Sequence, residues 1–326
     1  MIARGRALAH LAGSVMFTRP IDRMLLAILM AGCLTGSRPK AGPPAPQTPA
    51  PEDDWIADVR RLERDTNEER FDAVSSMLSG RGVRFEVQPF TTERGGREPR
   101  TEGRNIVVTA GAGARAIVVG AHYDAARLKD GSLSRGAVDN AASTVILVRL
   151  AETLQKEPPK AQVRLVFFDM EEIGLVGSRR YLAATGAERI AAMLNLDIAG
   201  VGDTIVYGSS TAERNRALRE RLVVACALAD IPCVGFPQTP PGDDRAFVGA
   251  GVPTLSLGIL PAIQAHQLWL LLNARQEAGL ATGFAPAITA LIHSPADRSE
   301  IVEPAAMRRV YDLVLRLMRD LSGRPL

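Results

Sequence analysis

Seven short runs rich in β-branched or apolar residues alternate with stretches of helical spacing, and that alternation leaves few folds open to this chain. The runs cover residues 83–90, 105–109, 116–120, 163–168, 193–198, 204–207 and 254–259. Helical patterns fall at 141–155, 174–184, 212–229 and 304–321, after an earlier pattern at 55–78 that breaks at Asp65-Thr66-Asn67. Strands joined through helices pair in parallel, and the helices cover both faces of the sheet. The expected fold is therefore α/β, a three-layer α/β/α domain around a central mixed, mainly parallel sheet. The run 116–120 is continuously apolar, as a strand covered on both faces must be. In such a sheet, chemistry gathers just beyond the carboxyl ends of the strands.

The polar residues at those places are of one kind. His122 and Asp124 follow the run 116–120, and Asp169, Glu171 and Glu172 follow 163–168. Asp197 lies within the run 193–198, where an unpaired carboxylate is expensive to bury. Asp139 and Asn140 open the helix that starts near Ala141, with Gly136 giving a flexible approach. His293 and Asp297 precede the final helix; of the four histidines in the chain, His122 and His293 fall in these places. Each residue alone has a plain structural reading: Asp139 as a helix N-cap, His122 as a satisfied polar side chain, Glu171 and Glu172 as a solvated pair. Together they converge on one edge of one sheet, and a cluster of divalent cations resolves the repulsion that gathering them creates. Carboxylate and imidazole ligands without thiolate suit zinc, manganese or cobalt in an open, catalytic arrangement.

Five segments carry a family resemblance: Gly120-Ala-His-Tyr-Asp124, Gly136-Ala-Val-Asp-Asn-Ala-Ala-Ser143, Phe167-Phe-Asp-Met-Glu-Glu-Ile-Gly-Leu-Val-Gly-Ser178, Asn195-Leu-Asp197 and Ile292-His-Ser-Pro-Ala-Asp297. In this order, over the chain from about Asp58 onward, they resemble the signature blocks of the co-catalytic di-zinc aminopeptidases. That superfamily also holds glutaminyl cyclases and the metal-free transferrin-receptor ectodomain. The resemblance implies the zinc-exopeptidase fold, two Zn2+ ions as cofactors, and peptide substrates with a free N-terminus. It implies that Asp139 bridges both ions, that His122 and Asp197 complete one site, and that Glu172 and His293 complete the other. Glu171 is then the general base and Asp124 the partner that orients His122. The physics agrees: a bridging carboxylate suits two cations roughly 3.5–4 Å apart. Asp124, two residues past His122, is placed to reach its second ring nitrogen and fix the tautomer.

The chain departs from the family pattern at several points. Ile292 stands before His293, where some relatives carry a tyrosine that stabilises the oxyanion, so that task passes to metal or to another donor. The stretch Gly242-Asp-Asp-Arg-Ala-Phe247 resembles a weaker block, Ser-Asp-His-x-x-Phe, that lines the substrate pocket. Either Asp243 or Asp244 meets the substrate amine there, or the stretch is a solvated turn. Residues 260–290, with Trp269 and Phe284, either cap the pocket or pack on the core as a helical pair. Cys226 and Cys233 pair as a disulfide in an oxidising compartment or stay as two buried thiols.

Three rivals share the superfamily's geometry. A glutaminyl cyclase-like transferase uses most of the same ligands with one zinc, but usually carries a tryptophan where this chain has Ile292. A metal-free binding module has no need of the five ligands and Glu171. A related metal-dependent carboxypeptidase or deacylase requires a basic residue for the substrate carboxylate, for which Arg245 is available.

The chain opens on a different kind of sequence. Arg19 and Arg23 precede the apolar stretch from Met24 to Ala31, which ends in Ala31-Gly32-Cys33. A basic flank, a short apolar core and small residues at the cut describe a secretory signal over residues 1–33. The stop at Cys33 resembles a bacterial lipoprotein signal, which implies lipidation of that cysteine; the plain alternatives are an unlipidated signal or a buried helix. Residues 34–53 hold six prolines and read as a semi-rigid linker. Residues 54–326 then form the metallopeptidase catalytic domain. A net charge of +3 from 39 basic and 36 acidic residues excludes nucleic acid as the main partner. No apolar run approaches the roughly 20 residues that span a bilayer. Membrane attachment is therefore expected only through the lipidated N-terminus, on an exported protein of the cell envelope that faces the periplasm or the exterior.

Overall fold

The computed structural model describes residues 53–93, 100–208, 212–324 and 326. The signal segment, Cys33 and all of the linker but Asp53 lie outside these. In chain order the elements are α1 (Asp53–Arg60), α2 (Asn67–Gly80), β1 (Glu86–Thr91), β2 (Glu102–Ala110), β3 (Ala116–His122), α3 (Ala142–Lys156), β4 (Gln162–Phe168), α4 (Val176–Thr185), β5 (Ile190–Leu196), β6 (Thr204–Gly208), α5 (Arg216–Ala229), β7 (Cys233–Phe236), α6 (Asp244–Gly249), β8 (Thr254–Leu260), α7 (Ala262–Asn273), α8 (Ala287–Leu291) and α9 (Pro304–Gly323). They belong to one compact unit, Pro49–Leu326. No helix among the described residues is long and apolar enough to cross a membrane.

The strands form a mixed sheet in the order β1-β2-β4-β3-β5-β8-β6-β7. The pairs β4–β3, β3–β5, β5–β8 and β6–β7 are parallel, and β1–β2, β2–β4 and β8–β6 antiparallel. Successive side chains on a strand point to opposite faces, and the two cores divide accordingly. Ile117 and Val119 of β3 join the larger core under α3 and α9, while Val118 joins the smaller one with Tyr181 of α4 and Phe247 of α6. Every residue of β3 is buried, which is the covering on both faces that its apolar run implies. The three-layer α/β/α architecture follows.

Register decides which residues meet. His122 lies opposite Phe168, so the ends of β3 and β4 are flush. Gly120 lies opposite Asn195, which carries Asp197 to the level of His122. Three adjacent parallel strands thus deliver their following residues to one edge.

Several boundaries differ from the sequence expectation for local reasons. Strand β5 stops at Leu196, so Asp197 follows the strand instead of lying within it. Ile198, at φ 56°, turns the chain there and gives its N–H to Asn140 Oδ1. Val83 does not start β1, because its N–H closes back on Leu78 O at the end of α2. Helix α5 starts at Arg216, after a tight turn over Glu213–Asn215. The four-residue β7 went unforeseen; it is half-buried, contains Gly235 and is too short to show a period.

Candidate active site

His122, Asp124, Glu171, Glu172 and Asp197 all come from the carboxyl ends of β3, β4 and β5. Asp139 is brought to them by an irregular turn, Ala137–Ala141, ahead of α3. Asp139 is therefore not an N-cap, since its side chain faces two imidazoles. Gly136 begins this turn in the left-handed region at φ 56°, where an added Cβ would lie 2.6 Å from Asp139 O. Only glycine fits both demands. The carboxylate of Asp297 accepts the N–H groups of Val138 (2.7 Å) and Asp139 (3.1 Å), fixing the turn from the far side.

The distances describe a tight cluster. His122 Nε2 is 3.2 Å from Asp139 Oδ1 and 3.8 Å from Asp197 Oδ1. His293 Nε2 is 3.1 Å from Asp139 Oδ2 and 3.0 Å from Glu172 Oε2. The two oxygens of Asp139 thus face different histidines. The Nδ1 of His122 donates to the backbone carbonyl of Asp124 at 3.1 Å, while the Asp124 carboxylate is 3.5 Å away. That fixes the tautomer with Nε2 toward the cluster. The Asp124 side chain stands beside that nitrogen as expected, and its carboxylate also accepts the N–H of Glu171 (3.1 Å) and of Glu172 (3.2 Å). Those bonds tie the β3 end to the β4 end and aim both glutamates.

Backbone strain collects here. Met170, Ile198 and His293 have φ of 59°, 56° and 56°, a region where side chains other than glycine are uncommon. Each adjoins or is one of the clustered residues, so the surrounding hydrogen bonds and packing must hold the site's geometry.

The electrostatics is that of a site short of positive charge. Hydrogen bonds to Asp139 and Glu172 push His293 up to about 11. Burial alone would lower His122, but the charge of Glu171 and its bonds to carboxylates carry it well above its usual value. Burial, reinforced by Asp139, lifts Glu172 to about 7, and burial also takes Glu171 well above the carboxylate range. Three groups of possible metal ligands are compact enough to hold a cation: His122-Asp139-Asp197, Asp139-Glu172-His293 and His122-Glu171-Glu172. The first two share Asp139. Among the described residues, the buried oxygens Asp197 Oδ1 and Glu172 Oε1 have no hydrogen-bond partner. Leaving a buried carboxylate uncompensated costs several kcal/mol, and divalent cations in the two Asp139-sharing groups would satisfy both oxygens. The residues fit the metal chemistry expected of them.

Asp243 and Asp244 do not form a solvated turn. They are 1% and 6% exposed at the start of α6, and burial raises them to about 7 and about 6. Among the described residues neither oxygen of Asp243 has a hydrogen-bond partner, and its charge bears on Glu171. Arg245 is exposed and donates to Thr239 O. An apolar pocket of about 70 Å3 opens beside Asp197, walled by Phe236, Leu257, Leu268 and Ile288. Within residues 260–290, Leu268 and Ile288 line this pocket, while Trp269 packs on the core and donates to Gly235 O. On the other side a cleft of about 350 Å3 reaches Glu172 and His293. The side chain of His293 is 51% exposed, so the cluster is open to a ligand from solvent. Cys226 and Cys233 are joined by a disulfide that ties α5 to β7, the strand that ends in Phe236.

Sequence reasoning passed over three supports. Arg70 of α2 is fully buried and donates to four main-chain carbonyls, those of Tyr123 (2.5 Å), Leu62 (2.6 Å), Arg135 (2.9 Å) and Gly136 (3.5 Å). Asn67 exchanges two bonds with the main chain of Ala125, and Asn140 bridges Leu196 O and Ile198 N. A signal for Arg70 existed: it stands on the apolar face of α2 with Phe71, Val74 and Met77.

A model of peptidase family M28 matches residues 105–318. The aminopeptidase YwaD of Bacillus subtilis is 33% identical over 87 residues, which is 26% of this chain and 18% of that protein. A probable zinc metalloprotease of Leptosphaeria maculans is 30% identical over 213 residues, 60% of this chain and 41% of that one. The chain spans less than half the length of these curated relatives. Among solved structures, the aminopeptidase of Aneurinibacillus sp. strain AM-1 aligns with a TM-score of 0.60 at 14% identity, covering 82% of this chain and 93% of that one. A glutaminyl cyclase of an Acidobacteriales bacterium aligns at 0.63 with 22% identity, covering 87% and 99%. These two share its fold.

Proposed function

The chain belongs to peptidase family M28, and from that premise we propose that it is a metal-dependent aminopeptidase that hydrolyses the N-terminal peptide bond of peptides with a free amine. The observation that carries the reading is the division of labour between two adjacent glutamates. Glu172 falls in a group that shares Asp139, whereas Glu171 falls in neither of the two Asp139-sharing groups and stands as a half-buried carboxylate beside His122 and Glu172. Asp139, His122 and Asp197 would hold one divalent cation, and Asp139, Glu172 and His293 a second. Zinc is the first choice, with manganese or cobalt as substitutes. When bound, the cations supply Lewis acidity for the scissile carbonyl and acidify the attacking water.

The rest is done by the chain. Glu171 accepts the proton of the water as its oxygen bonds to the carbonyl carbon, then returns that proton to the departing amine as the C–N bond breaks. Its environment suits a carboxylate that must hold a proton between the two steps, since burial favours the protonated form. Asp124 keeps Glu171 and Glu172 in register through their N–H groups. The apolar pocket next to Asp197 would take the substrate's side chain, and the buried carboxyls of Asp243 and Asp244, the first of which bears on Glu171, would receive its ammonium. Ile292 leaves no hydroxyl before His293, so the oxyanion has no donor from that position.

A substrate panel tests this. Aminoacyl-nitroanilides with small or medium apolar side chains should be cleaved, and the same compounds with an acylated amine should not, with metal content counted in parallel. Cyclisation of an N-terminal glutamine without peptide hydrolysis would replace the reading with a transferase, and release of the amino acid from an N-acyl derivative would replace it with a deacylase.

A further inference from the structure

Site carboxylates outnumber the cations near them. Asp124, Asp139, Glu171, Glu172, Asp197 and Asp297 converge, and the imidazoles of His122 and His293 stand among them. Arg70 lies fully buried behind this cluster, and its charge acts on Asp124, Asp297, Asp139 and Glu172. None of the salt bridges among the described residues uses it; the guanidinium bonds described above end on main-chain carbonyls. Its charge is therefore not taken up by a direct ion pair. In a buried, weakly screened setting such a charge is felt across the cluster. Burying an arginine is costly, whereas an apolar side chain at this place on α2 would join Phe71, Val74 and Met77 without that cost.

We propose that Arg70 is a positioning residue with an electrostatic duty: it is the fixed counter-charge that lets the acidic cluster stand assembled before a divalent cation enters, and it thereby weakens the cluster's hold on that cation. The clamp on the main chain and the charge are separate properties of the same side chain. The clamp holds Tyr123 O next to Asp124 and Gly136 O at the start of the Asp139 turn. The charge offsets the carboxylates that those segments bring together. A fixed positive charge behind the cluster opposes an incoming cation by the same Coulomb term that stabilises the empty cluster. The inference rests on the cation-binding part of the proposed function.

The test compares the full chain with its Arg70→Lys and Arg70→Met variants, each metal-free and titrated with zinc against a chromophoric chelator. Arg70→Met should bind zinc on the order of tenfold more tightly than the wild type, while its metal-free form melts below that of Arg70→Lys. Arg70→Lys, which keeps the charge but loses the planar fork, should bind zinc as the wild type does and melt below it. A clamp without an electrostatic duty predicts otherwise: zinc affinity in Arg70→Met unchanged or weakened, or both variants behaving alike, overturns the proposal. An Arg70→Met chain that folds only with zinc, or not at all, supports it if Arg70→Lys folds without zinc and overturns it if Arg70→Lys does not. A wild type that takes up no zinc would bring down the proposed function instead, and the metal-free melting order of the two variants would still decide the role of Arg70.

Discussion

Glu171 and Glu172 share a backbone anchor, the carboxylate of Asp124, yet the chemistry proposed for them is different, and one substitution separates the two. Glu171→Ala should lower kcat by about a thousandfold, within the usual range for losing a general base, and leave the metal content of the purified protein as it was. Turnover that survives in a metal-loaded Glu171→Ala protein would remove this residue from the mechanism. The clustered residues could be read from sequence because a carboxylate or imidazole at the end of an apolar strand stands out against its neighbours. Their meeting could not be read without strand register, and that register puts His122 level with Asp197. The roles of Arg70 and Asn140 were harder to read: Arg70 stands out on an apolar helix face, but the partners of both are main-chain carbonyls and N–H groups, which leave no mark on the sequence. For Asp243 and Asp244 the sequence left two environments open, and only the packing of α6 shows them buried.

Helix α2 shows how an element far from the chemistry supports it. Thr66 caps it by accepting the N–H of Glu69, and Glu69 returns the bond to the N–H of Thr66. Its first turn carries both Asn67 and Arg70, the side chains that hold the segment after β3. Thr66→Ala should therefore cost about 1 kcal/mol of stability, seen as a lower midpoint in urea with an unchanged slope; an unchanged midpoint would mean that the packing of Phe71 and Val74 holds this turn without the cap. The break at Asp65-Thr66-Asn67 was readable because a capping residue interrupts the apolar spacing. Most strands were readable for the same kind of reason, since runs covered on both faces are apolar throughout. Element ends were harder, because they are set by bonds such as Val83 N–H to Leu78 O, which depend on how the chain turns after the helix.

At the scale of the whole molecule, the leader and the domain make separate claims. We propose that residues 1–33 export the chain, that Cys33 carries lipid and that residues 34–53 hold the domain away from the membrane. Cys33→Ser should then abolish incorporation of labelled fatty acid and release the protein into the soluble fraction with its specific activity intact; label retained on the variant would show that Cys33 is not the acceptor. The domain's centre is assembled from the ends of β3, β4 and β5, the turn before α3 and the turn after α8, segments scattered over most of its length. The two sets that share Asp139 close at different points of the chain: His122 and Asp139 wait for Asp197, and Asp139 and Glu172 wait for His293. A growing or half-threaded polypeptide therefore lacks the second set until residue 293 has followed. Whatever chemistry needs both sets together arrives only when the last turn closes, however early the first set is in place.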